Sequence, residues 1–260
     1  MKRLSLPVVA ALVLTACATS PLGRQQFLFM PAAEMDQMGA TAYNEMKEQQ
    51  PTVTGTAESR YVECVADAIV AVVDSNEQWE VTVFKDDSAN AFALPGGKIG
   101  VHTGLLKVAK NQDQLAAVIG HEVGHVLAQH PNERMSIQYA TQTGTQLVAA
   151  LAGGDSAEKQ TLMGLLGVGA QYGVQLPFSR KHEAEADVIG LDLMAEAGFD
   201  PRQSVNLWQN MAAASGGSPP EFLSTHPSNQ TRIQGLQARI PEAMPLYQQA
   251  RSSGRTPNCG

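Results

Sequence analysis

The sequence predicts a helix-dominated α+β fold: a single domain with one small β-sheet. Three observations carry this. Apolar residues recur at helical spacing in several stretches, as in Met35, Met38, Ala42 and Met46, or Val62, Val65, Ile69 and Val73. Strand signatures gather in one place, between Trp79 and Leu106. No internal repeat and no second composition regime divides the 260 residues, a length that buries a substantial core.

The chain opens with "MKRLSLPVVAALVLTAC". Lys2 and Arg3 precede an apolar run from Leu4 to Leu14, too short to span a bilayer, which is the layout of an export signal. The ending "LTAC" resembles a bacterial lipobox, in which cleavage falls before the cysteine and that cysteine is acylated. Residues 1–16 are then expected to be a lipoprotein signal peptide, with Cys17 the lipidated mature N-terminus. A plain signal peptide with a coincidental cysteine is the alternative. Ala18 stands where an aspartate is taken as an inner-membrane retention signal. The expected location is therefore the bacterial cell envelope, lipid-anchored to the outer membrane and facing the periplasm.

Residues 17–31 read as a lipidated tether, and residues 32–260 as the folded domain. Helices are expected over 32–50 and 58–74, followed by a strand in the alternating, β-branched "WEVTVF" at 79–84. In "NAFALPGGKIGVHTGLL", 90–106, two short strands flank the tight-turn signal Pro95-Gly96-Gly97. Asn111 or Asp113 caps a helix running to about Gln129, with Pro131 marking its end. Helical segments continue to about Ala150 and over 157–172. Charged residues interrupt this Gly- and Ala-rich region, so a membrane hairpin is not expected. A further helix ends at Gly198, a good C-cap, and Asp200 with Pro201 opens the next one. The segment after "STHPSNQ" ends helical.

Composition excludes some functions. The net charge is −7, with 43% hydrophobic and 17% charged residues, and no basic block. Binding to nucleic acid by counterion release is therefore not expected. Besides Cys17, the cysteines are Cys64 and Cys259. Export to an oxidising compartment makes a bridge between them the natural expectation, with two free thiols as the alternative.

The chemistry concentrates in "HEVGH", 121–125. His121 and His125 stand one turn apart on one helix face, where two imidazoles can share a tetrahedral metal. Glu122 lies about 100° around the axis, within reach of a water at the metal. A solvent-facing helix that happens to carry histidines would show the same pentapeptide. A catalytic zinc needs a third protein ligand and an open position. Glu183 and Asp187 in "HEAEAD" are again i and i+4, so one can ligate while the other accepts a histidine ring N–H. Read alone, such a pair is more often a solvated face.

Together these motifs resemble the HExxH zinc metallopeptidases (gluzincins) that include the CAAX prenyl endopeptidases and the HtpX-type proteases, closest to their periplasmic lipoprotein branch. The family pattern pairs an HExxH helix with "SRxxExEAD", here "SRKHEAEAD" at 179–187, and a later HP-then-Arg signature, here "THPSNQTRI" at 225–233. The resemblance spans roughly residues 25 to 240.

It implies a zincin-like domain with one Zn2+ per chain, held by His121, His125 and Glu183. Glu122 is then the general base, and Asp187 orients a ligand or donates a proton. His226 either stabilises an oxyanion or takes the fourth metal position in a latent state. Arg232 supports the cleft or a substrate carbonyl, and residues 98–103 bind substrate as an added strand. His182 is expected at the surface, and His102 and His130 without chemical role. Implied substrates are unfolded or misassembled envelope polypeptides, delivered by the cleft, the tether or an envelope-protein partner. A non-cleaving, metal-bound scaffold is the second reading. A purely structural zinc site is disfavoured, because the ligand set holds no cysteine.

Overall fold

The computed structural model describes residues 17–151, 180–214, 221–226 and 230–260. The expected signal peptide and the helix expected over 157–172 lie outside the described residues. Among those described, no helix is long and apolar enough to cross a membrane.

Strands β1 (Cys17–Thr19) and β2 (Gln25–Phe27) form an antiparallel hairpin. Then come α1 (Ala32–Gln49), β3 (Thr52–Val53), α2 (Ala57–Val70), β4 (Glu80–Phe84), β5 (Ala91–Leu94) and β6 (Lys98–His102). After a 3-10 turn at Thr103–Lys107 follow α3 (Gln112–Leu127), α4 (His130–Leu151), α5 (Arg180–Glu196), α6 (Gln203–Ala213), α7 (Glu221–Thr225) and α8 (Gln230–Ser252). The helix-dominated reading with one small principal sheet holds.

That sheet has the order β3-β4-β6-β5, with β4 and β6 parallel and the outer pairs antiparallel. Substrate pairing was expected along residues 98–103, but β6 is interior, hydrogen-bonded on both sides. Among the described residues, the edge strand beside the site is β5. The alternation of β6 does not reveal its neighbours, so sequence alone could not rank the two strands.

Local signals explain the boundaries. Asn111 caps α3, its side chain accepting the Gln114 N–H at 2.9 Å. Gln129 turns the chain with φ 51°. Pro131 therefore sits in the first turn of α4, a position proline tolerates because that N–H has no helical partner. Gly198, with φ 92°, ends α5 as expected. Helix α8 runs on through Pro241 and Pro245, past the point where the sequence stops looking helical.

Helix α3 is buried along almost its whole length, and Leu115, Ile119 and Val123 are inaccessible. Ile69 from α2, Val101 from β6, Leu191 and Met194 from α5, and Leu207 from α6 share its core cluster. Cys64 on α2 is bonded to Cys259 across a separation of 195 residues. The Cys259 N–H also donates to Gln112 Oε1 at 2.9 Å, so the chain end straps the start of α3.

Residues 17–31, read as a tether, carry structure. Ser20 and Gln26 are buried, and Arg24 forms ion pairs with Glu133 on α4 and Glu185 on α5, both at 2.7 Å. The hairpin is docked because those buried carboxylates need a cation. Its polar composition conceals this in the sequence.

Candidate metal centre

Two helices make the centre, and glycine sets their separation. A Cβ on Gly120 would lie 2.8 Å from Gly190 O, and one on Gly124 would lie 3.0 Å from Ala186 O. The backbones of α3 and α5 therefore nearly touch. Ligands on short side chains can meet across the seam.

His121 and His125 on α3 and Glu183 on α5 converge, each buried. The two Nε2 atoms are 3.1 Å apart. Glu183 Oε2 lies 3.4 Å from His121 Nε2, and Oε1 lies 3.5 Å from His125 Nε2. His226, just past α7, completes the group: its Nδ1 is 3.3 Å from His121 Nε2 and 3.1 Å from Glu183 Oε1. All four donor atoms lie within 4.8 Å of one another. A tetrahedral zinc with bonds of about 2.0–2.1 Å places its ligand atoms roughly 3.3–3.4 Å apart. The five separations above, 3.1–3.5 Å, bracket that edge, so the donor set fits one zinc in chemistry and in the spacing of those pairs.

The remaining polar groups orient these four. Asp187 Oδ1 lies 3.0 Å from His121 Nδ1, where it accepts the ring N–H and leaves Nε2 for a cation. Arg232 on α8 grips Asp187 through Nε and Nη2 at 2.7 and 2.6 Å, and its Nη1 lies 2.6 Å from Glu183 Oε2. Its guanidinium carbon stacks 4.0 Å over the Trp208 ring. Arg232 is buried and braces the Asp187 and Glu183 carboxylates.

Charge follows this layout. Burial works against protonating His121, but the carboxylates of Asp187 and Glu183 outweigh it and raise its pKa to about 9. A field that holds a proton there also favours a metal cation. Burial keeps His125 neutral, with its pKa well below the ordinary value and the neighbouring His121 adding to the effect. Burial alone would raise the Glu183 pKa, yet the hydrogen bonds of His121 and His226 hold it well below the usual carboxylate range. Glu122 is pushed up, chiefly by burial. Its Oε2 accepts the Ala93 N–H of β5 at 3.3 Å, and its Oε1 lies 3.4 Å from His226 Nε2.

Several side chains matter here that sequence reasoning passed over. Trp208 and Phe222 wall the His121 ring, with centroids 5.9 and 6.1 Å away, and Phe222 stacks on His226 at 4.5 Å. His182 was expected at the surface but is buried, its Nε2 lying 3.1 Å from Glu133 Oε2. Helix α5 is covered on that side by α4 and the hairpin, which its own periodicity does not reveal. His102 is core, with its Nδ1 2.8 Å from Ser88 Oγ. His130 is also buried, and its Nδ1 lies 2.9 Å from His125 Nδ1.

Comparison with known proteins bears on this arrangement. The model of peptidase family M48 matches residues 56–240. The mitochondrial metalloendopeptidase OMA1 of Schizosaccharomyces pombe is 41% identical over 186 residues, covering 70% of this chain and 53% of that protein. The human mitochondrial metalloendopeptidase OMA1 is 30% identical over 243 residues, 86% of this chain and 44% of its own. The beta-barrel assembly-enhancing protease of Escherichia coli K12 is 27% identical over 223 residues, 82% and 45%. The chain thus spans about half the length of these curated relatives.

Proposed function

The chain belongs to peptidase family M48, and from that premise we propose that it is a zinc-dependent endopeptidase acting on misfolded or misassembled proteins of the cell envelope. The observation that carries the reading is the buried cluster of His121, His125 and Glu183 with Glu122 beside it. Zinc held by those three would supply Lewis-acid chemistry, polarising a peptide carbonyl and acidifying water to a pKa of about 7.

The other steps belong to the protein. Asp187 fixes the His121 tautomer, and Arg232 fixes Asp187. Glu122 takes a proton from the attacking water and hands it to the leaving amine. Its burial raises its proton affinity, which suits a group that must both accept and release a proton near neutral pH. A substrate strand would pair with the outer edge of β5, next to the Ala93 N–H that now holds Glu122. Backbone pairing of this kind reads extension more than sequence, so it suits unfolded segments.

The envelope assignment draws on the name of the beta-barrel assembly-enhancing protease and on the lipobox-like "LTAC" ending at Cys17. Relatives named mitochondrial metalloendopeptidase share the same domain, so the domain alone does not choose the compartment.

A second, latent reading has its own support. His226 Nδ1 stands at ligand distance from His121 and Glu183, and its Nε2 faces Glu122. With His226 as a fourth ligand, the position that water or a substrate carbonyl needs would be filled. The enzyme then works only after His226 withdraws.

A Glu122→Gln variant tests the enzyme reading. Wild type and variant should bind zinc alike, while wild type digests an unfolded casein-type substrate at least about 100-fold faster. Equal, slow digestion by both would leave the scaffold reading.

A further inference from the structure

We propose that His130 is the positioning residue for His125, and that Glu185 and Arg24 extend this support to the N-terminal hairpin. The inference rests on His125 being a metal ligand, as read above.

A cation on His125 Nε2 leaves the ring proton on Nδ1. That N–H points at His130 Nδ1, 2.9 Å away, which must then be the bare, accepting nitrogen. His130 therefore carries its own proton on Nε2 and donates it to Glu185 Oε2 at 3.1 Å. Glu185 also accepts the Ser20 hydroxyl on Oε1 and the Arg24 Nε–H, the latter at 2.7 Å. Arg24 turns its other two nitrogens to Glu133, at 2.8 and 2.7 Å. Each donor along this path meets an acceptor: the two histidine bonds take their direction from the metal, and Ser20 and Arg24 donate inward to Glu185.

Burial makes the path consequential. His130 is inaccessible, and its ring stacks on His182 at 4.4 Å between centroids. Glu185 accepts from Ser20, Arg24 and His130 together, so its carboxylate is held in place by three donors and faces the His130 ring. That polarises His130, which in turn makes His125 a better donor to a metal. His121 is supported by Asp187 and, behind it, Arg232. His125 is supported by His130 and Glu185, and the last contact comes from Arg24, in the segment that follows Cys17.

Zinc affinity, measured by competition with a chromophoric chelator on the full chain, tests this. His130→Ala should weaken zinc about 10–100-fold, the usual effect of removing a group that orients a ligand. His130→Asn offers an amide oxygen to the His125 N–H and should recover most of that loss. Arg24→Gln should give a smaller loss in the same direction. In the zinc-loaded wild type, nitrogen-15 NMR should find His125 protonated at Nδ1 and His130 at Nε2.

Unchanged affinity in His130→Ala overturns the proposal. So does an Asn variant no better than Ala, since packing alone would then explain the loss. If His130→Ala does not fold, the NMR assignment decides: a proton on His130 Nδ1 overturns it. Zinc that fails to bind wild type would sink the metal reading itself, whereas equal binding by wild type and His130→Ala sinks only this inference.

Discussion

A Cβ added to Gly190 on α5 would lie 2.6 Å from the backbone nitrogen of His121 on α3. No side chain stands between them that could yield. The spacing of the candidate metal ligands is therefore a property of two backbones in contact, and a methyl group is enough to change it.

The first prediction follows from that contact. Alanine in place of a mid-helix glycine normally gains about 0.5–1 kcal/mol. At Gly190 the clash should win, because overpacking typically costs about 1–3 kcal/mol. Gly190→Ala should lower the melting temperature and also weaken zinc. Gly235 on α8 has nothing within 4 Å of an added Cβ, so Gly235→Ala should stabilise by about 0.5–1 kcal/mol. Thermal melts with chelator titrations check both. A Gly190→Ala protein with wild-type zinc affinity would show that the ligands are not set by this seam.

His226 gives a second prediction. If it holds the fourth position, His226→Ala should weaken zinc less than His125→Ala does, and a small hydroxamate should bind the zinc-loaded variant more tightly than wild type. Isothermal titration of the hydroxamate measures this. Equal affinity for both proteins would place His226 outside the coordination sphere.

The third concerns pH and the hairpin. Burial pushes the Glu133 pKa up, but hydrogen bonds from Arg24 and Gln26 outweigh it and hold it below the ordinary 4.5. Glu185 is shifted the same way. Both groups bind protons more weakly in the folded state, so their stabilisation is full above about 4.5 and is lost as pH falls through the depressed values. Amide protection factors in residues 17–27, corrected for the intrinsic pH dependence of exchange, should hold from neutrality to about pH 4.5 and fall below it, ahead of those in α3. Arg24→Gln should show the lowered protection already at neutral pH. Exchange that does not respond to either change would mean the ion pairs do not hold the hairpin.

Much of this arrangement is legible in the sequence, because some signals are local. The spacing of His121 and His125, the cap at Asn111 and the turn at Gly96-Gly97 each act within a few residues. Glu183 and Asp187 were found through a motif, and their i, i+4 spacing shows why both face α3. What stayed hidden depends on contacts between distant segments. Nothing near Arg24 announces that it meets Glu133 and Glu185, and His130 looks like a helix-end histidine until α5 and the hairpin close over it. Strand order in a mixed sheet is likewise a tertiary fact, which is why substrate pairing was expected along residues 98–103 rather than along β5. The glycines at 120 and 190 were visible as small residues, but only the crossing of the helices gives them a role.

The bond between Cys64 and Cys259 encloses His121, His125, Glu183 and His226 in one covalent ring. A protease that nicks the backbone once anywhere inside that ring frees no fragment. The halves carrying the two ligand helices stay linked at effectively high concentration and can re-form the centre. Such nicked material would migrate as one species until a reductant opens the ring, after which it would separate into two pieces that no longer share a metal.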